Sequence, residues 1–150
     1  MNQPADIVIR PARVEDIPVL LAFWAEAGEN HGRPVDNAPV VEALLSRDPD
    51  ALIVAELGEI IVGTVIAGWD GWRAHLYRLA VAPDHRGRGI ARLLLEDAER
   101  RLRSLGAIRF DAMVLATNSA GASAWAAMDY HPQEEWVRWV KRATTEASSD

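Results

Sequence analysis

Residues 80–106 read AVAPDHRGRGIARLLLEDAERRLRSLG. The stretch predicts the end of a strand, a basic loop with two glycines, and a long amphipathic helix. In that helix Ile90, Leu93, Leu94, Ala98 and Leu102 recur at helical spacing and form the inward face. Glu96 with Arg100 and Glu99 with Arg103 stand at i,i+4 on the outer face. Gly106 supplies the stop. The loop itself is Arg86, Gly87, Arg88, Gly89, Ile90, Ala91. At a helix N-terminus the first N–H groups have no intrahelical partner, and the helix dipole favours negative charge there. Gly87 and Gly89 lack a Cβ, so the chain can turn sharply and a ligand can approach it closely. The physics is that of an anion site, most naturally for phosphate.

Outward from this loop the pattern alternates between strands and helices. Residues 7–9 predict a first strand, closed by Pro11. Ile17, Leu20, Leu21 and Trp24 mark a helix over 15–27, stopped by Gly28. Residues 29–37 are polar and loop-like, and Asn37 can cap a second helix carrying Val40, Val41, Leu44 and Leu45. Strands follow at 52–55 and 60–67 around a Gly58-Glu59 turn, and a fourth runs over 76–81. After the long helix come a strand at 108–115, a helix over 120–128 capped by Asn118, and a last strand at 136–141. Consecutive strands combined with a strand–helix–strand unit predict an α/β (α+β) fold. Its centre is a mixed, mostly antiparallel sheet of six to seven strands flanked by about four helices. Residues 1–142 read as one domain and 143–150 as a polar tail that frays.

Composition narrows the function. A net charge of −6 argues against a protein whose main task is holding nucleic acid, while leaving room for a basic patch at Arg86 and Arg88. There is no cysteine, which excludes disulfides, thiolate catalysis and Cys-based metal sites. His31, His75, His85 and His131 lack metal-ligand spacing, so no metal is expected. No apolar run reaches membrane-spanning length and no signal-peptide pattern opens the chain, so a cytoplasmic location and no membrane partner are expected.

The loop is neither a Walker loop, because no Gly-Lys-Ser/Thr follows, nor a dinucleotide fingerprint, because the three spaced glycines are missing. Leu79-Ala80-Val81-x-Pro83 followed by Arg86-x-x-Gly89-x-Ala91 resembles the acetyl-CoA signature of the GNAT superfamily of N-acetyltransferases. The resemblance extends from the Ile9-Arg10-Pro11-Ala12 opening to the last predicted strand, and Asn118 falls where the family has an Asn after its fifth strand.

The resemblance implies that backbone amides of residues 86–91 hold the pyrophosphate of acetyl-CoA, the co-substrate. The pantetheine arm would pair with the main chain at Leu79, Ala80 and Val81 like an added strand, with Asn118 and Trp125 also on the cofactor side. An amide of that strand would stabilise charge on the thioester oxygen. Arg88 reaches phosphate or stays solvated, and Arg86 contacts phosphate or braces the loop. The implied reaction is direct attack of a neutral amine, of a small molecule or a protein, on the thioester. Family members are commonly dimers, which makes a homodimer compatible with the resemblance. The chain departs from the pattern at three positions. Trp125 stands where many members carry an acidic Tyr, Met113 where one branch carries a Glu base, and Asp129 where a Gly is usual. Trp125 and Met113 support, as the alternative to turnover, a CoA-binding sensor or interaction module. An RNA-associated use of the Arg-Gly loop is disfavoured by the acidic net charge.

Asp70, Glu26 and Tyr130 are the candidate catalytic residues, each weighed against a plainer role as turn residue, solvated surface or hydrogen-bonded core. Glu29 and Tyr77 are weighed the same way. Trp24, Trp69 and Trp72 stand near the presumed acceptor loops, close in sequence to Glu26, Glu29 and Asp70; aromatic faces with carboxylates would suit a cationic amine.

Overall fold

The computed structural model describes residues 6–144 and 148–149. Strands β1 (Ile7–Pro11), β3 (Leu52–Leu57), β4 (Ile60–Trp69), β5 (Ala74–Val81) and β6 (Phe110–Ala112) form one sheet in the order β1-β3-β4-β5-β6. The first three pairings are antiparallel and β5 runs parallel to β6. A parallel neighbour requires a crossover, and α3 (Ile90–Leu105) supplies it.

Period-two alternation along β3 assigns the two faces of the sheet. Ile53 and Ala55 point to the face covered by α3, where Ile90, Leu94, Leu95, Ala98 and Leu102 are buried. Leu52 and Val54 point to the other face. There they meet Ile17, Leu20 and Trp24 of α1 (Ile17–Ala27) and Val41 and Leu45 of α2 (Ala38–Arg47). Each fully buried Leu contributes about 1.5–3 kcal/mol of transfer free energy, so both helical layers are held mainly by this burial. Asn37 caps α2 as predicted, its side chain accepting from the Val40 N–H at 3.0 Å. Asn118 likewise caps α4 (Ser119–Ala127), accepting from the Gly121 N–H at 2.9 Å.

Several expectations are corrected. The central sheet has five strands, fewer than six to seven. A separate two-residue pairing joins β2 (Arg33–Pro34) to β7 (Ser148–Ser149). Residues 136–141 form no strand, and Trp136, Val137, Trp139 and Val140 are all exposed. Their β-forming composition requires an edge to pair with, and β6 stops after three residues, well short of the predicted 108–115. On α3, Leu95 is buried and Leu93 only half-buried. Arg100 pairs with Asp97 at i,i+3, at 2.9 Å, while Arg103 reaches Glu99 as predicted, at 3.5 Å. Residues 145–147 and 150 of the tail expected to fray lie outside the described residues.

Candidate active site

β5 is bonded differently along its two edges. On one side it pairs with β4 from Ala74 to Val81. On the other it pairs with β6 only at Ala74, His75 and Leu76, opposite Phe110, Asp111 and Ala112. Beyond Leu76 the two strands part, and the free edge of β5 opens into a groove of about 1250 Å³. Leu79, Ala80 and Val81 line one wall; Met113, Asn118 and Trp125 belong to the facing side.

The β4–β5 ladder also breaks at this point. Thr64 faces Ala80 and Ile66 faces Tyr77, so Arg78 and Leu79 together oppose Val65. This is a β-bulge, which bends the strand and re-aims its groups. Arg78 takes the left-handed backbone conformation, φ 52°.

The groove continues into the loop before α3. Gly87 and Gly89 have φ of 77° and 80°, the region glycine adopts without strain. Gly89 is the N-cap of α3, and no side chain caps that end, so its N–H groups stay available to a ligand. A Cβ built on Gly89 would meet no atom within 4 Å; the space before the loop is open. Arg86 Nε donates to the Val81 carbonyl at 3.1 Å and thereby braces the loop against the end of β5. Gly87, Gly89, Ile90 and Ala91 line the groove with Arg86. Arg88 is exposed and stands outside its lining.

The candidate catalytic side chains are not gathered in this groove. Asp70 closes the β4–β5 turn, accepting from the Trp72 and Arg73 N–H groups at 2.7 Å each. Those bonds hold its carboxyl below the usual Asp range. Glu26 is exposed on α1, away from the groove lining. The Tyr130 hydroxyl donates to Glu99 Oε2 at 2.7 Å, and its ring meets Trp125 edge to face at 4.8 Å between centroids. Burial, followed by the bond to the Glu99 carboxylate, pushes the Tyr130 phenol well above its ordinary value. The aromatic–carboxylate cluster expected for a cationic amine does not assemble either. Trp24 is buried and donates to Thr64 Oγ1 at 2.9 Å. Trp69 and Trp72 line a separate hollow of about 100 Å³ with Arg73 and Arg109. Glu29 and Tyr77 do line the groove. Asp129 has φ 70°, occupying without glycine a left-handed position after α4, which Asp tolerates better than most residues.

Arg78 and Asp36, which pair with each other, are among the groove residues that escape the sequence reading. Strand alternation gives no signal for the first: the bulge breaks the parity between Leu76, which packs on the α3 face, and Arg78, whose guanidinium lies over Trp24 on the other.

Comparison with known proteins decides the family. The acetyltransferase (GNAT) family pattern matches residues 18–130. The chain belongs to the GNAT acetyltransferase family. An acetyltransferase of Sodalis glossinidius is 33% identical over 135 residues, 89% of this chain and 94% of the relative. One of Yersinia pestis (strain Pestoides F) is 38% identical over 127 residues, 84% of this chain and 89% of the relative. Among solved structures, AAC(6')-Iy in complex with a bisubstrate analogue, CoA-S-monomethyl-acetylneamine, superposes with a TM-score of 0.73 at 19% identity. That match covers 91% of this chain and 99% of the other and shows a shared fold. This GNAT protein is therefore an acyltransferase, with acetyl-CoA as donor and an amine as acceptor. Among the described residues no helix is long and apolar enough to cross a membrane, and no three His, Cys, Asp or Glu side chains are grouped to hold a metal.

Proposed function

We propose that residues 1–142 act as one N-acetyltransferase domain, with the donor laid along β5 and the amine entering between residues 27–36 and Tyr77. The observation that carries this reading is the parting of β5 from β6 after Leu76, which leaves an unpaired strand edge leading into the uncapped start of α3. Such an edge suits an extended arm with amide groups, and the N–H groups beyond it suit a diphosphate. The residues present fit coenzyme A on those two grounds. Leu79, Ala80 and Val81 would hold the arm through main chain, and residues 86–91 the pyrophosphate. Asn118 and Trp125 would close the far side. Acetyl-CoA brings an acyl group already activated as a thioester.

The chain's own contribution is then position, polarisation and proton removal. A strand N–H on the β5 edge is suited to stabilise negative charge on the acyl oxygen. A free lysine-type amine titrates near ~10.4, so it must lose a proton before attack. The two carboxylates lining the groove, Glu29 and Asp36, are already engaged: Glu29 Oε1 accepts from the His31 N–H at 3.0 Å, and Asp36 pairs with Arg78. Proximity of the bound reactants, with water carrying the proton away, is the route these residues support.

The test is calorimetry with coenzyme A together with free-thiol release from acetyl-CoA across polyamines, lysine peptides and aminoglycosides. Binding heat and amine-dependent thiol release are expected. No heat from coenzyme A or acetyl-CoA would overturn the site. Heat without thiol release from any amine would overturn the transfer reaction and leave a binding module.

A further inference from the structure

Among the described residues Thr64 and Arg78 are the two buried polar ones, and they touch. The Arg78 side chain is 4% exposed. Its Nη1 donates to the Glu29 carbonyl at 3.2 Å and to Asn30 Oδ1 at 2.9 Å, and its Nη2 pairs with Asp36. The guanidinium lies over the Trp24 ring at 5.4 Å from the centroid. The Arg78 carbonyl accepts from Thr64 Oγ1 at 2.8 Å, and that hydroxyl accepts from Trp24 Nε1. Main chain and side chain of this one residue therefore join β4, the end of α1 and the segment before α2.

Gly28 is part of the same arrangement. A Cβ there would lie 2.5 Å from Arg78 Nη1 and 2.9 Å from the Trp24 carbonyl, so a side chain has no room beside the guanidinium. Arg78 holds φ 52°, a conformation that persists for a long side chain only where its surroundings over-determine it. Burying a guanidinium is also costly, and packing alone would be served as well by an apolar residue. The planar fork of an Arg does what an apolar residue cannot: it fixes several acceptors in one geometry. Gly28, Glu29, Asp36 and Arg78 all line the groove, at the same level as the β5 bulge.

We propose that Arg78 is a positioning residue for the acceptor: its guanidinium locks residues 28–36 against the β5 bulge and so sets where the amine stands relative to the open strand edge. This rests on the reading of the groove as the acyl-transfer site, with the acceptor at that end. Arg78 touches no reacting atom in this scheme; it acts through the segment it holds.

The test uses Arg78→Lys, which keeps the charge, and Arg78→Met, which keeps much of the volume, with Asp36→Asn as the partner variant. Hydrogen–deuterium exchange of residues 28–36 is followed in the full chain, together with coenzyme A affinity. Thiol release from acetyl-CoA is measured with spermidine, a lysine peptide and neamine. In Arg78→Lys, exchange over 28–36 should quicken about tenfold or more while the rest of the sheet keeps its protection. The KM for the amine should rise about tenfold while coenzyme A affinity stays within about twofold. Asp36→Asn should move in the same direction by less. Unchanged exchange in 28–36 overturns the proposal, as does a loss of coenzyme A affinity with the amine KM unmoved. If Arg78→Met does not fold, Arg78→Lys decides; if none of the three amines is turned over, the exchange decides. A wild-type protein that fails to bind coenzyme A would instead sink the site reading beneath the proposal, so the two failures are distinct.

Discussion

Thr64 Oγ1 accepts a hydrogen bond from Trp24 Nε1 at 2.9 Å in the interior between α1 and the sheet. The same hydroxyl donates to the Arg78 carbonyl at 2.8 Å. One small polar atom thus satisfies a buried indole and a carbonyl that the bulge removes from the ladder. Thr64→Val keeps the shape and deletes both bonds. It should cost about 1–3 kcal/mol, the penalty for buried groups left without partners. Chemical denaturation would register this as a lower midpoint with an unchanged slope, and Thr64→Ser should recover most of the loss.

Gly89 stands at the uncapped start of α3 with open space before it and φ 80°. Gly89→Trp places an indole where the diphosphate is expected and strains the left-handed backbone. Coenzyme A affinity should fall at least about tenfold, while strain costs the fold about 1–2 kcal/mol. Titration calorimetry beside a thermal melt separates the two effects. Equal affinity in variant and parent would show that the diphosphate lies elsewhere.

Tyr130→Phe removes the bond to Glu99 and should lower stability by about 0.5–1.5 kcal/mol. The phenol already titrates far above its ordinary value, so it stays protonated across the working pH range. The pH profile of thiol release should therefore keep its shape in the variant. A lost alkaline limb would restore Tyr130 as an acid in the reaction.

Asp16 accepts two bonds from Arg10, at 2.8 and 3.1 Å, and one from the Arg13 N–H at 2.8 Å. The Arg10 guanidinium, first, holds the Asp16 carboxyl below its ordinary value of 3.8. A folded-state value below the unfolded one means that this stabilisation is complete above about pH 4 and fades as pH falls through the folded value. Asp16→Asn should cost about 1–3 kcal/mol at pH 7, as for a hydrogen bond to a charged group. The gap between variant and parent should narrow below about pH 4. Denaturation curves at pH 7, 5 and 3 would show it; a gap independent of pH would mean the carboxylate charge is not what matters.

The parts legible in the sequence are those governed by local spacing. Ile90, Leu94, Ala98 and Leu102 mark α3 because side chains at that spacing share one face of a helix. Asn37 and Asn118 mark helix starts because a short polar side chain can reach the N–H groups of the next turn. The Gly87 and Gly89 turn is read from the same kind of local rule. The strand expected at 136–141 shows where such rules end: a β-forming composition is not a strand until an edge receives it, and β6 is three residues long. Asp70 shows the same limit for chemistry. In sequence it stands between a turn role and a role as base, and the fold of the β4–β5 turn decides for the turn, with two backbone N–H groups bonded to its carboxylate.

By itself, then, the chain's order of residues determined the helices, the glycine turn before α3 and the acyl-CoA family to which the loop points, because each depends on neighbours within a few positions. Tertiary structure alone decided the rest. The parting of β5 from β6 depends on how far two distant strands stay in register. The bulge at Arg78 depends on β4, and the grip of Arg78 on Asn30 and Asp36 joins positions 48 and 42 residues apart. No local rule reaches across such separations. They are settled when burial of both sheet faces brings the segments together.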